Sequence, residues 1–147
     1  MTKLTEHFYL VEFTDSQTAA RRGIENFPEG QDRKNVELMA KTLEQVRTLL
    51  NSQPILISSG YRNQWLNSAV KGSKNSAHLH GLAVDFTCPS FGTPLEICKK
   101  LEPHMAGLHI DQLIHEFEAW VHLGLSAGKP RHMAMTIDIT GARLGLA

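Results

Sequence analysis

A histidine-rich segment at residues 76–85 reads SAHLHGLAVD, and it guides the interpretation of the rest of the chain. It contains His78 and ends on Asp85, an acid that follows the apolar run 82–84. An unpaired carboxylate is costly to bury in an apolar strand. The segment therefore indicates either a structural aspartate held by hydrogen bonds or an arginine, or an aspartate that binds a metal.

The spacing within this segment predicts a bend. His78 and Asp85 are seven residues apart, and on one straight strand they would point to opposite faces. Gly81 lies between them and can adopt backbone conformations that other residues avoid. We expect the chain to turn at Gly81 and bring the two side chains together.

A second polar cluster, EFEAWVH, occupies residues 116–122. Trp120 and His122 share one face of a strand, and Glu116 and Glu118 have the same parity as His122 if that strand is continuous. The two glutamates are either solvated strand residues or candidates for a general base. Strand periodicity alone does not choose between them.

Together the two segments supply two imidazoles, one carboxylate and a spare glutamate. A catalytic zinc site has three protein ligands and leaves the fourth position to water, whereas a structural site closes all four positions and usually recruits cysteine. The residue types favour the open, catalytic kind. Two imidazoles and a carboxylate also suit iron or cobalt.

Composition limits the possible classes of protein. The chain has 147 residues, 41% of them hydrophobic, which predicts one domain with its own core. Fifteen basic and fifteen acidic residues cancel, so charge gives no reason to expect a nucleic acid or an anionic membrane surface as partner. We expect no membrane insertion, because no apolar run reaches the length of a span. The N-terminal residues lack the profile of a secretion signal, so we expect a cytoplasmic protein on synthesis.

The two cysteines, Cys88 and Cys98, are ten residues apart and form no disulfide framework. Zinc ligation by either cysteine is the alternative, but neither has the short CxxC partner of a structural site. We predict two free thiols.

Apolar periodicity predicts the helices. Residues 35–50 carry the clearest helical pattern. A short helix should follow an N-cap at Thr14, Asp15 or Ser16 and end near Gly23, with a loop at 26–30. A further long helix is expected at 93–101.

Short apolar runs predict the strands. Residues 54–59 read as a buried strand, followed by Gly60, Tyr61 and Arg62 at its exit. Further strands are expected at 82–86, 109–116, 119–125 and 133–137, the last three as an antiparallel meander. Helices that largely precede strands indicate an α+β domain over residues 1–147.

The segment at 76–85 resembles a family of zinc peptidases that cleave bacterial cell-wall peptides. The family includes D-Ala-D-Ala carboxypeptidases, the vancomycin-resistance dipeptidase and phage endolysins, and shares its metal site with hedgehog domains. Its pattern S-x-H-x-x-G-x-A-x-D is matched by Ser76, His78, Gly81, Ala83 and Asp85. The resemblance continues through 57–62, Asn67, 72–73 and 120–122. It covers most of the chain from about Phe13 and is similar to the small, single-domain, phage-type branch, whose fold packs helices on a mainly antiparallel sheet.

The resemblance implies roles for individual residues. His78, Asp85 and His122 would bind zinc. Arg62, which would otherwise be read as an ordinary surface arginine, would face the substrate and stabilise negative charge on the scissile carbonyl.

Further site residues follow from the same resemblance. Tyr61 and Trp120 would contact the substrate, and Ser76 would either hydrogen-bond the substrate or only cap a turn. His80 falls at a variable position of the pattern, so it is a residue of the cleft or of the surroundings of the metal rather than a first-choice ligand.

The general base departs from the better-known members. Many of them have Glu three residues before the last histidine, but that position is Ala119 here. Hedgehog domains keep the corresponding glutamate six residues before the last zinc histidine, which is Glu116. We therefore expect Glu116 to be the base, with Glu118 as second choice.

These observations predict a monomeric zinc metallopeptidase that acts on the peptidoglycan stem peptide, as a carboxypeptidase or endopeptidase cutting beside a D-amino acid. The lack of an export signal and of a wall-binding domain suggests a phage or prophage enzyme that reaches the wall at lysis or on a particle. One alternative is a zinc-stabilised module that binds a peptide or the wall without catalysis. Another is a hydrolase of an unrelated small amide or peptide.

Overall fold

Helices and strands follow one another along residues Met1–Ala147, all of which the computed structural model describes. The helices are α1 (Leu10–Thr14), α2 (Gln17–Arg22), α3 (Gly30–Leu49), α4 (Gln64–Ala69) and α5 (Pro94–Leu101). The strands are β1 (Leu56–Ser59), β2 (Ala83–Thr87), β3 (Ile110–Glu116), β4 (Trp120–Leu125), β5 (Met133–Asp138) and β6 (Gly141–Leu144). Short 3₁₀ turns occupy Ala77–His80 and Glu102–His104. The predicted α+β class is confirmed.

The long helix α3 is the element that the sequence pattern predicted best. Its apolar face is fully buried against the sheet and includes Val36, Met39 and Leu43. The helix begins at Gly30, five residues before the predicted start at residue 35. It therefore includes the last residue of the predicted loop at 26–30. Helix α2 begins after the N-cap Ser16 and ends at the left-handed Gly23, as predicted. The predicted long helix at 93–101 is the eight-residue α5.

Strand β1 corrects the prediction of a buried strand at 54–59. The six strands have the order β1-β2-β4-β3-β5-β6, which places β1 at one edge of the sheet. Leu56 is 54% exposed, and the residues of β1 alternate between exposed and half-buried. A short apolar run does not reveal whether its strand is central or at an edge, because both fit the same composition.

Strand β5 corrects the predicted meander. β3 and β4 form an antiparallel hairpin, but β5 pairs with β3 in parallel. The reason lies in the neighbours of β4, which is already flanked by β2 and β3. The chain leaving β4 must therefore pass the start of β3 and pair with its free edge.

The short elements α1, α4 and β6 were not predicted, because each is too brief to show a clear period.

A single cluster of buried apolar side chains joins the helices to the sheet. It includes Phe86 of β2 and Leu113 of β3, which are both fully buried. Cys88 and Cys98 are buried free thiols, which confirms the prediction for the cysteines. None of the helices combines the length and hydropathy that crossing a bilayer requires.

Candidate metal centre

The bend predicted at Gly81 is present and places His78 beside the sheet. His78 lies in the 3₁₀ turn, and the Ser76 hydroxyl caps this turn by accepting a hydrogen bond from the His78 N–H at 3.2 Å. Gly81 ends the turn in the left-handed conformation, with φ of 71°. A Cβ at this position would lie only 2.7 Å from Cγ2 of Val36 on α3. Both the backbone angle and the close approach of α3 therefore require glycine here.

Asp85 and His122 meet His78 because of the strand register. Asp85 on β2 lies directly opposite His122 on β4, so their side chains project from the same face of the sheet. His122 Nδ1 lies 2.9 Å from Asp85 Oδ1, and His78 Nε2 lies 3.4 Å from Asp85 Oδ2. One ligand atom from each of the three residues lies within 4.8 Å of the other two. The structure thus brings together the three predicted ligands.

The hydrogen bonding of His78 fits metal binding. Its Nδ1 lies 2.7 Å from the carbonyl oxygen of Gly60, which can only accept, so Nδ1 carries the proton. Nε2 is then left with its lone pair directed at Asp85. Metal-binding histidines in proteins are commonly oriented in this way by a carbonyl on the other ring nitrogen. The donor set of two imidazoles and one carboxylate, with one imidazole fixed in this tautomer, fits a zinc ion.

Gly60 can supply this carbonyl because it packs directly against α1. A Cβ on Gly60 would lie 2.6 Å from the carbonyl oxygen of Phe13. The next residue, Tyr61, donates its backbone N–H to that same oxygen at 2.7 Å. The exit of β1 is therefore fixed against α1, and the Gly60 carbonyl is held under His78.

The two carboxyl groups near the cluster have opposite electrostatic surroundings. Burial raises the pKa of Asp85, but the hydrogen bond from His122 and the adjacent His78 imidazole outweigh that effect and hold the pKa well below its ordinary value. For Glu116, burial raises the pKa, and the nearby charge of Asp85 raises it further, against the opposing effect of His122. Asp85 is therefore kept ionised, whereas Glu116 is placed to exchange a proton.

Glu116 is the last residue of β3, and its carboxyl group faces the cluster. Its Oε1 lies 3.7 Å from His122 Nδ1. Glu118 lies in the exposed turn between β3 and β4 and does not line the cleft. This turn interrupts the strand that was predicted to be continuous. Alternation along a strand therefore does not place Glu118 on the same face as His122. The structure places the first-choice base at the cluster and the second choice outside it.

Arg62 connects the exit of β1 to the histidine turn. Its backbone N–H donates to the carbonyl of His78 at 3.0 Å, and its Nη2 donates to the Ser76 hydroxyl at 3.3 Å. Its Nε is buried and has no hydrogen-bond partner. Burial lowers the pKa of the guanidinium, while Asp85 and Glu116 oppose that shift. Arg62 stays a cation with an unused donor, and Ser76 both caps the turn and holds the arginine.

These residues line one cleft of about 570 Å³. Trp120 lies half-buried on its wall, opposite Glu116. Two predicted site residues lie elsewhere. Tyr61 is buried in the core cluster and does not line the cleft. His80 points away from the cleft and lies 3.8 Å from Asp32, with its side chain 66% exposed.

The far end of the cleft contains a pair that the sequence patterns did not reveal. Asp111 at the start of β3 accepts hydrogen bonds from the backbone N–H, Nε and Nη2 of Arg131, at 2.8, 3.0 and 2.7 Å. The two residues are twenty positions apart, and only the parallel pairing of β5 brings them together. No local signal could have predicted this contact.

A second cavity of about 620 Å³ lies between α1, α2 and β1. It shares Arg62 with the cleft but contains none of the three candidate ligands. The candidate metal site therefore belongs to the smaller cleft.

The family model for peptidase M15 matches residues 6–124, which include the three candidate ligands, Arg62 and Glu116. The chain belongs to the peptidase M15 family. This is the family of zinc D-Ala-D-Ala peptidases that the segment at 76–85 predicted. No curated protein gives a significant match. Membership of M15 implies a metallopeptidase hydrolase. M15 peptidases are zinc-dependent, and the His–Asp–His cluster could hold a metal ion.

Proposed function

We propose that this M15 member is a zinc peptidase that hydrolyses a peptide bond in the peptidoglycan stem peptide beside a D-amino acid, as a carboxypeptidase or an endopeptidase. The observation that carries the proposal is that Arg62 and Glu116 line the same cleft as His78, Asp85 and His122. A module that only bound zinc for stability would not need an ionisable carboxyl and a guanidinium beside the metal site.

His78, Asp85 and His122 would hold the ion, with His78 fixed by the Gly60 carbonyl. A zinc ion bound there would supply Lewis acidity, which would polarise the scissile carbonyl and lower the pKa of bound water to about 7. Asp85 would bind the ion as a carboxylate, since the pKa of its side chain lies well below the ordinary value.

Glu116 transfers the proton. Its carboxylate accepts a proton from the attacking water and passes it to the nitrogen of the leaving amine, so that a free amine and a carboxylate are the products. Its raised pKa suits both halves of this transfer, because a group whose pKa lies nearer to working pH can accept and then release a proton.

Arg62 stabilises the transition state. Negative charge develops on the carbonyl oxygen as water adds, and the guanidinium lies in the cleft with its Nε lacking a hydrogen-bond partner. A fixed cation with an unused donor is suited to that oxygen. Ser76 holds one end of the guanidinium and so orients the group. No activated serine or cysteine lines the cleft as a covalent nucleophile: Ser76 Oγ accepts from Arg62 and from the His78 N–H, Ser73 Oγ accepts from the Asn75 N–H, and neither hydroxyl is hydrogen-bonded to a base.

The test is release of new amino groups from purified peptidoglycan by the zinc-loaded protein, compared with chelated protein and with chelated protein to which zinc is restored. We expect release that chelation abolishes and zinc restores. Analysis of the products separates free D-Ala, the mark of a carboxypeptidase, from new peptide termini, the mark of an endopeptidase. Zinc binding without any release would favour the non-catalytic binding module, and cleavage of D-Ala-D-Ala but not of wall material would favour a dipeptidase. Monomeric state and delivery to the wall at phage lysis stay predictions.

A further inference from the structure

The register of the β3–β4 hairpin places Trp120 beside Glu116. The two residues form a directly opposed pair at the end of the hairpin, so their side chains project from the same face. Opposed residues of an antiparallel pair have Cβ atoms about 5 Å apart. An indole and a carboxylate at that separation are within reach of each other.

Both groups have unused hydrogen-bonding capacity. Trp120 Nε1 is buried and has no partner of standard hydrogen-bond geometry. A buried donor left unpaired is unfavourable, and indole N–H groups in protein interiors usually find an acceptor. The Glu116 carboxylate lies 3.7 Å from His122 Nδ1, which is longer than a hydrogen bond. The nearby indole favours the ionised form of Glu116 and acts to lower its pKa.

The turn that joins the two residues is strained. Phe117 and Glu118 both have positive φ, at 53° and 57°, at the two central positions of the turn that begins the three-residue loop 117–119, where Asn-Gly is the preferred pair. The Phe117 N–H donates to the carbonyl of Ile137 on β5 at 2.7 Å, and the Phe117 ring lies 5.7 Å from the Trp120 ring. These contacts connect the strained turn to β5 and pack the Phe117 ring against the indole. Strain retained in this way is typical of functional sites.

We propose that Trp120 is a positioning residue for Glu116, whose carboxylate accepts a hydrogen bond from the indole N–H and is thereby held off the metal ligands. The inference rests on the proposed role of Glu116 as base. Without the N–H, the carboxylate is free to approach His122 and to occupy the position that the attacking water needs. The strained turn at Phe117 and Glu118 keeps the indole in place.

Nuclear magnetic resonance tests the contact directly, because the chain has only two tryptophans. The ¹H–¹⁵N spectrum of the zinc-loaded protein therefore contains two indole signals, and a Trp65→Phe variant assigns them. We expect Glu116→Gln to shift the Trp120 indole signal and to leave that of Trp65, which is 65% exposed, unchanged. A Trp120 signal that does not respond to Glu116→Gln would overturn the proposal.

Kinetics of Trp120→Phe, with Trp65→Phe as the matched control, test the consequence. We expect kcat to fall about 10-fold with KM nearly unchanged, because the base is misplaced while substrate binding is retained. Zinc content should stay at one ion per chain. A raised KM with unchanged kcat would overturn the positioning role and make Trp120 a substrate contact.

The two proposals fail in different ways. If the wild type cleaves no peptide, the proposed function fails, while the indole signal still reports on the contact. If the wild type cleaves peptide and the Trp120 indole signal is unchanged in Glu116→Gln, only the positioning role fails.

Discussion

Asp85 on β2 and Glu116 at the end of β3 are two carboxylates in one cleft, yet their surroundings move their pKa values in opposite directions. Two adjacent histidines, of which His122 hydrogen-bonds Asp85, lower the pKa of that acid, whereas burial with little direct pairing raises the pKa of Glu116. Two acids whose pKa values are moved apart in this way commonly have different roles in one active site. Here one carboxylate is suited to hold a cation and the other to move a proton.

A third carboxylate, Asp111, lies in the same cleft and completes the comparison. Its hydrogen bonds from Arg131 lower its pKa, with burial acting in the opposite direction. Asp111 is therefore an anion, as Asp85 is. The two differ in their partners, because the charge of Asp111 is neutralised by an arginine. We expect Asp111 to matter for structure and neither for metal binding nor for proton transfer.

The largest effect should come from Asp85→Asn. This change keeps the shape of the side chain but removes the charge that a cation requires, so zinc affinity should fall by more than about 100-fold and activity should be lost. Isothermal titration with zinc measures the affinity. Asp111→Asn is the matched control within the same cleft and should bind zinc like the wild type. Unchanged zinc affinity of Asp85→Asn would remove Asp85 from the metal site.

A smaller effect is expected from Gly81→Ala, which disturbs the turn that brings His78 to Asp85. The added Cβ meets Val36 at 2.7 Å, and alanine disfavours a φ of 71°. We expect the free energy of unfolding to fall by about 2–4 kcal/mol. Urea denaturation of the zinc-free protein measures this loss. Gly128→Ala is the control, because a Cβ there meets nothing within 4 Å. Equal stabilities of the two variants would contradict the account of the bend.

Asp111→Asn should destabilise the fold by about 1–2 kcal/mol, because it breaks a hydrogen-bonded pair in which Arg131 is partly exposed. Folding lowers the pKa of Asp111 below its ordinary 3.8, so the pair stabilises the fold above that pH. This stabilisation is lost as the pH falls through the pKa that Asp111 has in the folded protein. Denaturation at pH 7 and at low pH measures the difference, which should shrink in acid. A difference that grows in acid would contradict this sign.

The smallest effect is a gain in stability. Replacing Phe117 and Glu118 together by Asn and Gly relieves two left-handed residues, so we expect a gain of about 1 kcal/mol, part of which the lost Phe117 packing offsets. Activity should fall, because the Trp120 indole loses the ring that packs against it. Thermal unfolding and amine release measure the two quantities. Higher stability with full activity would show that the strain has no functional role.

The sequence predicted the parts of the site that depend on short-range geometry. The spacing of His78, Gly81 and Asp85 indicated a bend, and α3 followed from one apolar face. The choice of Glu116 came from a resemblance and not from strand parity, since the turn at Phe117 and Glu118 interrupts the strand. Its role as base stays a prediction, as do the roles of the zinc ligands and of Arg62.

Long-range pairing could not be predicted in the same way. The parallel placement of β5 depends on which edge of β3 is free, and that is fixed by β2 occupying the other side of β4. The contact between Asp111 and Arg131 depends on the same pairing. The exposure of β1 and the burial of Tyr61 in the core also follow from neighbours that are distant in sequence.

The most direct test of the division of work between Asp85 and Glu116 is to measure zinc content and peptidoglycan cleavage together in Glu116→Gln, with Glu118→Gln as the matched control. We predict that Glu116→Gln keeps one zinc ion per chain and loses cleavage by about 10²- to 10⁴-fold, while Glu118→Gln behaves like the wild type. Cleavage at the wild-type rate by Glu116→Gln, or loss of its zinc, would contradict the account.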